Sequence, residues 1–463
     1  VPDFSTIIQA PDIRALVQEN LLERAFHDAL FPRLLFRGES SPQLWPANVG
    51  DTMVFTGVGL MTPQLMPLIP GTDPVPADYQ KEQWTAQLQQ YAGAAPDTHM
   101  PSSITAIANL FLRNAKQLGL QAGQTLNRLV RNKLYNAAGS GQSVADGAQV
   151  AVTTLRVKRV NGFTRSRTGG STVRYDIVSG SNPLAIRVGP ALATAVNVIG
   201  FTPDNAGDEI GPGTLALSAA VTVADRDPVV SNDATFIQRV GGGFRVDDVT
   251  TGDILRLADV RAVVARFWQQ NVPEQADGRF HCHLSPTSQA QVFSDPEFQR
   301  LLTSLPDFFM YRQFALGELL GTVFFRNSEN PATDTVVGGA TASFSLNDPF
   351  APELFNNGAT TGVKIERPLF VGQGAIYEYY QDLDQLLTEA GVTGRVGEPR
   401  ISNNSIEVST ERIKLVIRAP LNRLQDTVSA AWKFIGDWPV RTDSTTGDAA
   451  RYKRVVAIEH SAV

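Results

Sequence analysis

"PSSITAIANLFLRNAKQLGLQAGQTLNRLVRNKLYNAAG", residues 101–139, is the stretch whose reading decides the fold. Ile104, Ile107, Phe111, Ala115, Leu118, Ala122, Leu126 and Leu129 recur at three- and four-residue steps, the spacing of one helix face. Pro101 with Ser102 or Ser103 supplies a start signal, and Gly139 supplies a stop. An unbroken helix of about 34 residues at 1.5 Å rise is about 50 Å long, more than a compact domain needs. Gly119 and Gly123 each cost about 1 kcal/mol relative to alanine, so they mark a bend or a close contact.

Before this helix, residues 49–100 predict an extended excursion. "GDTMVFTGVGL" reads as one strand. "EQWTAQLQQYA" reads as a second, with Trp84, Ala86 and Leu88 alternating against Gln83, Thr85, Gln87 and Gln89. The intervening "MTPQLMPLIPGTDPVPADYQ" carries five prolines, and proline cannot donate to a ladder, so the tip is not a central strand. The pattern predicts a hairpin arm whose tip displays Leu60, Met61, Leu65, Met66, Leu68 and Ile69. Such apolar exposure is an aggregation liability unless another chain covers it. Those residues, with Lys81 and Trp84, are the expected contacts between subunits. Further upstream, residues 11–36 predict an amphipathic helix through Ile13, Leu16, Val17, Leu21 and Ala25, ended by Pro32, and its place before the excursion suits an arm lying on a neighbouring subunit.

After the helix the composition turns to Gly, Ser, Thr and Val. "TTLRVKRVNGF", "STVRYDIVSG" and "GTLALSAAVTVAD" alternate, which predicts a small β domain or long hairpins. "TGDILRLADVRAVVARFWQQN" predicts a helix with Ile254, Leu257, Val260, Val264 and Phe267 on one face. "SDPEFQRLLTSL" predicts a short helix capped by Asp295 before Pro296. Strands follow at "GELLGTVFFRNSEN", "VKIERPLFVGQGAIYEYY", "ERIKLVIRAPL", "WKFIGDWPV" and "YKRVVAIEHSA". The class is α+β, without a βαβ rhythm or a repeat of fixed period.

With 463 residues, 43% of them hydrophobic and 19% charged, the chain predicts two to four folded units with a large core. A net charge of −6 excludes the overall basic signature of a dedicated nucleic-acid binder. One cysteine excludes a disulfide framework and a cysteine-rich zinc module, and fits folding inside a cell. The basic residues are 32 arginines and eight lysines, which fits many planar ion pairs or a GC-rich genome equally. No apolar run nears the roughly 18 residues of a membrane span. "VPDFSTIIQA" lacks the basic n-region of a secretory signal.

Catalytic motifs are scarce. In "GRFHCHLSP", residues 278–286, an extended backbone puts Phe280, Cys282 and Leu284 on one face and His281 and His283 on the other. Cys282 is expected in the core. Two histidines two apart can share a metal, but a site needs further ligands, and His27, His99 and His460 lie far off in sequence. Asp382 and Asp384 form a second candidate metal pair, more often a solvated face. Arg156 and Lys158, and Arg412, Lys414 and Arg418, form basic strand faces that suit phosphate or, more commonly, salt bridges. "VGQGAIYE" has too few glycines in place for a dinucleotide loop, and no P-loop, G-x-S-x-G or H-E-x-x-H occurs. No cofactor is expected.

The order of parts resembles the major capsid protein of tailed bacteriophages, the Hong Kong 97-type fold. The resemblance covers most of the chain. It is carried by "GDTMVFTGVG", "QAGQTLNRLVRNKLYNAAG", "GDILRLADVRAVVARF", "GRFHCHLSPTSQAQVFSDPEFQRL", "GELLGTVFFRNSEN" and "RPLFVGQGAIYEYY", in that order. It implies an N-terminal arm (1–48), an extended loop (49–100), a spine helix opening a peripheral domain (101–159), an inserted β-rich domain (160–245), an axial domain (246–362), and a remainder returning to the periphery (363–463). It further implies a non-enzymatic subunit that forms hexamers and pentamers of an icosahedral head enclosing double-stranded DNA. Scaffold, portal and decoration proteins are implied partners, the virion the destination, and the host cytoplasm the place of assembly. Some relatives crosslink Lys to Asn, for which Lys81 with Asn356 or Asn357 are the implied positions. Three other readings stand beside it: a bacterial encapsulating shell of the same fold, a metal-dependent hydrolase at His281 and His283, and a tail or glycan-binding protein argued from residues 160–245.

Overall fold

A computed structural model describes residues 35–46, 50–61, 64–67, 69–74, 76, 79–95, 98–99, 107–168, 172–207, 209–303, 317–327, 332–333, 363–381, 400–402, 405–410, 412–418, 427–442 and 451–462. Residues 11–34 of the expected helix, Leu68, Asn356, Asn357, Asp382 and Asp384 lie outside them, and Leu35 and Phe36 form a turn. The chain is mixed α+β and rich in strands, and it divides into two units. One takes the chain up to Met53, Thr85–Arg131 and Ile376–Pro439. The other takes Val54–Trp84, Asn132–Ala375 and Val440–Val463.

The long helix runs Ile107–Ala138, 32 residues or about 48 Å. Ala115, Leu118, Ala122, Leu126, Val130 and Leu134 are buried along it, and Gly119 and Gly123 lie in the same buried surface. Leu129 is only half-buried, so the stripe passes through Val130 instead. Three successive four-residue steps carry it there, because a 3.6-residue turn does not hold a fixed heptad. No helix among the described residues is long and apolar enough to cross a membrane.

In the first unit an antiparallel meander, Arg400–Ser402, Ser405–Thr410, Ile413–Arg418 and Thr427–Asp437, continues to Ile376–Tyr380 and, in parallel, to Ser40–Leu44. Gln89–Ala94 also pairs with Thr427–Asp437. Trp432 is buried there, and its Nε1 donates to Gln121 Oε1 of the long helix at 3.3 Å. A Cβ on Gly93 would sit 2.5 Å from Trp432 Nε1 and 2.7 Å from Gln121 Oε1, so only glycine lets strand and helix approach this closely.

The second unit holds a β-barrel. Its strands stand in the order Gln142–Val144, Pro228–Ser231, Leu184–Val188, Thr194–Pro203, Gly213–Val223, Gln149–Val157, all antiparallel. A bridge between Ala145 and Val157, with Lys158 N donating to Val144 O at 3.1 Å and Asp146 N to Arg156 O at 3.1 Å, joins the last strand to the first. Leu155, Val157, Phe163, Ile186, Val198, Leu215 and Val229 fill the interior. Closure leaves the barrel no free edge. Its ends meet, with Ser231 N donating to Gly141 O at 2.8 Å, as in a domain inserted into a host chain. Its last strand along the chain is Pro228–Ser231, and two of its strands, Gln142–Val144 and Gln149–Val157, precede residue 160. Their pairing with strands tens of residues downstream was invisible to local alternation.

The same unit contains a mixed sheet in the order Glu318–Leu319, Thr322–Arg326, Phe280–Leu284, Leu369–Val371, Val455–Ser461, Ile365–Glu366, Ala332–Thr333. The helix Leu257–Gln269 buries Val260, Val263, Val264 and Phe267 in one core cluster with Phe280, Cys282, Leu284, Phe370 and Ile458. Asp295 caps the helix Pro296–Thr303 through Glu297 N at 2.9 Å, as expected, and its other oxygen accepts from Leu257 N at 2.7 Å. A smaller sheet sets Thr52–Met61 beside Tyr79–Gln87, followed by Thr172–Ile177 and Arg165–Thr168.

Candidate assembly surface

The extended loop is built from strands Thr52–Met61 and Tyr79–Gln87. Along the first, Phe55 and Gly57 are half-buried and Val54, Thr56 and Val58 are exposed, the alternation of a one-sided strand. Phe55 stacks on Trp84 with ring centroids 6.3 Å apart, and the Arg441 guanidinium lies 5.6 Å from the Trp84 ring. A Cβ on Gly57 would fall 2.9 Å from Trp84 Cζ3, so the glycine makes room for the indole. Trp84 therefore packs within its own chain. Lys81 is half-buried in the second strand. That strand stops at Gln87, and the next begins at Gln89 in another sheet, so the predicted single strand through Tyr91 is two.

At the tip the backbone is turned by Ile69-Pro70-Gly71-Thr72. Thr72 N donates to Ile69 O at 3.1 Å, and Gly71 has φ +91°, the positive value a type II turn demands at its third residue. Around it Leu65 is 90% exposed, Met66 89% and Ile69 70%, while Val54 is 56% and Val58 61% exposed. Large apolar side chains at such exposure leave a patch of apolar surface facing water. The side chains of Leu60 and Met61 lie outside the described residues.

Each unit also holds a buried carboxylate between two guanidiniums. In the first, Glu378 accepts from Arg37 Nε at 2.9 Å and Nη2 at 2.6 Å, and from Arg412 Nη1 at 3.0 Å. Burial alone would raise its pKa; the hydrogen bonds and charge of Arg37, with those of Arg412, outweigh it and hold the carboxyl below its usual range. This fork, with Phe36 N donating to Asn127 Oδ1 at 2.7 Å, ties the chain before strand Ser40–Leu44 to the sheet and the long helix. In the second unit Glu459 accepts from Arg239 Nε at 2.8 Å and Arg367 Nε at 3.0 Å. Here too burial opposes the charge, and the two arginines prevail and lower the carboxyl. Neither glutamate stood out as functional in the sequence. The available signal was one acid inside an aromatic or apolar strand, "IYEYY" and "VVAIEHS".

The histidine strand is Phe280–Leu284. Cys282 is fully buried in the core cluster, as expected, and burial pushes its thiol pKa well up. His281 and His283 both meet Phe325, with centroids 5.0 Å and 5.5 Å away, and His281 Nε2 lies 3.2 Å from Asp277 Oδ2. Among the described residues no group of three His, Cys, Asp or Glu side chains is placed to share a metal ion. The basic faces are salt-bridged in large part: Arg156 meets Asp146 and Asp204 at 2.9 and 2.7 Å, Arg412 meets Glu378, and Lys414 is buried. Gly374 takes φ +63° in a turn before Ile376–Tyr380, so the "VGQGAIYE" glycines shape the backbone.

No protein-family model matches the chain, and no curated protein matches it. Among solved structures, the capsid of Ralstonia phage GP4 is similar at 14% identity and a TM-score of 0.44, covering 90% of this chain and 86% of that one. The Cyanophage Pam1 capsid is similar at 11% identity and 0.45, covering 94% and 92%. The mature capsid of bacteriophage PhiM1 is similar at 7% identity and 0.46, covering 92% and 86%.

Proposed function

We propose that this chain is a non-enzymatic shell subunit, the major capsid protein of a tailed bacteriophage. The observation that carries the proposal is the extended loop. Val54, Val58, Leu65, Met66 and Ile69 stand more than half exposed on a backbone shaped by proline and glycine turns. A surface of this kind gains free energy when a neighbouring copy covers it, at roughly 25 cal/mol per Å² of apolar area removed from water. Repeated head to tail, such a contact closes rings. In this reading the rings are the hexamers and pentamers of an icosahedral head, assembled in the host cytoplasm around a scaffold and portal. The long helix is the spine of the peripheral domain, the histidine-strand sheet belongs to the axial domain, and the barrel is the insertion. Packaged double-stranded DNA is met through phosphate contacts that weaken with salt.

Deletion of residues 60–80, joined by a short glycine linker, tests the proposal. The expected product folds, with the long helix and barrel intact by circular dichroism, and forms no stable particles by light scattering and negative-stain imaging. Normal particles from the deleted chain would overturn the loop's role. Particles of the full chain that enclose protein cargo and no nucleic acid would replace the phage head with an encapsulating shell.

A further inference from the structure

We infer that the inserted barrel positions the extended loop, through a hairpin that leaves the barrel and straps the loop's second strand. The hairpin consists of Arg165–Thr168 and Thr172–Ile177, antiparallel from Arg165↔Ile177 to Thr168↔Arg174. The barrel closes without either strand. Phe163 before the hairpin and Val178 after it are buried in the barrel core, so the excursion starts and ends on fixed ground. Its outer strand pairs in parallel with the loop, Lys81↔Thr172 and Glu82↔Val173. A parallel pair cannot arise from a tight turn between neighbours; it is a tertiary contact between segments far apart in sequence.

The strap is held from two further sides. Ser166 Oγ donates to Pro183 O at 3.0 Å, at the start of the barrel strand Leu184–Val188. From the C-terminal segment, Arg451 Nη2 donates to Arg165 O at 2.6 Å, and its guanidinium lies 4.5 Å from the Tyr175 ring centroid. Glu82 of the loop strand is buried at 4% exposure. The loop strand therefore has Thr52–Met61 on one side and the strap on the other, and its direction is set by the barrel. The strap is a contact within the single chain, whatever covers the loop tip.

Amide hydrogen exchange on the unassembled full-length chain tests it. Val173→Pro removes a backbone donor at one of the two residues paired with the loop strand, where a proline does not fit. Exchange at residues 79–84 is expected to quicken at least tenfold while the barrel amides of Ile186, Val188 and Leu215 keep their protection. Unchanged protection at 79–84 would overturn the strap. Should the barrel amides also lose protection, a second variant decides. Lys81→Cys with Thr172→Cys sets two thiols at paired Cα positions within disulfide reach. Oxidation is expected to give a fast-migrating monomer crosslinked within one chain. Absence of that species, or crosslinks only between chains, sinks the inference.

Discussion

Replacing His460 by glutamine should remove most of the acid sensitivity of the strand Val455–Ser461 between pH 7 and 5. His460 is fully buried. Its Nδ1 lies 2.9 Å from Ser461 O, so that nitrogen carries the hydrogen and donates; Nε2, 2.8 Å from Ser288 Oγ, accepts. Burial pushes the imidazole down to about 4, the nearby Arg367 charge adds to this, and the Ser461 hydrogen bond opposes it. The unfolded chain takes up its proton near 6.5 and the folded chain resists until about 4. The stability due to the neutral ring is therefore complete above pH 6.5 and is lost as pH falls toward 4. Between pH 7 and 5 those two values correspond to a loss of about 1.8 kcal/mol, or about twenty-fold in the local opening constant.

Glu366, the paired residue across the ladder, is raised by burial, with Lys364, Ser285 and Arg367 acting the other way. It titrates with the opposite sign, stabilising as pH falls, so the difference between wild type and His460→Gln isolates the histidine. The assay is amide exchange of Val455–Ser461 at pH 7 and 5, corrected for intrinsic rates. A local readout is needed because a chain of two units has no single unfolding free energy. Equal pH dependence in wild type and variant would refute the buried neutral histidine.

Glu378→Ala should leave Arg37 and Arg412 facing each other without their shared carboxylate and cost about 3–5 kcal/mol, seen as lost exchange protection at Ser40–Leu44. Because the Glu378 carboxyl is held low, this contribution is present above the unfolded glutamate value of about 4.3 and fades as pH falls below it, a window distinct from that of His460. Leu126→Ala, at a fully buried position of the long helix, should cost about 2–5 kcal/mol in the first unit, measured by exchange of Gln89–Ala94 and Thr427–Asp437. Cys282 should resist maleimide in the folded chain and react at the rate of a free thiol only in denaturant; rapid native labelling would contradict its place in the core.

The sequence by itself determined the elements whose signal is local. The helix ending at Ala138, the face of Leu257–Gln269, the Asp295 cap and the inward Cys282 follow from periodicity and capping chemistry, which neighbours along the chain dictate. The apolar tip was legible because proline excludes a ladder and leaves Leu65, Met66 and Ile69 without a sheet to cover them. Tertiary structure alone decided the rest. Closure of the barrel at Ala145–Val157 joined Gln142–Val144 and Gln149–Val157 to strands tens of residues downstream. Val173 met Glu82, and Glu378 and Glu459 each found two arginines, through pairings set by strand order. Alternation says which face of a strand is apolar; it carries no information about which distant strand lies alongside. That choice is made by the summed burial and hydrogen bonding of the whole sheet, and it is where the strap and the buried carboxylates come from.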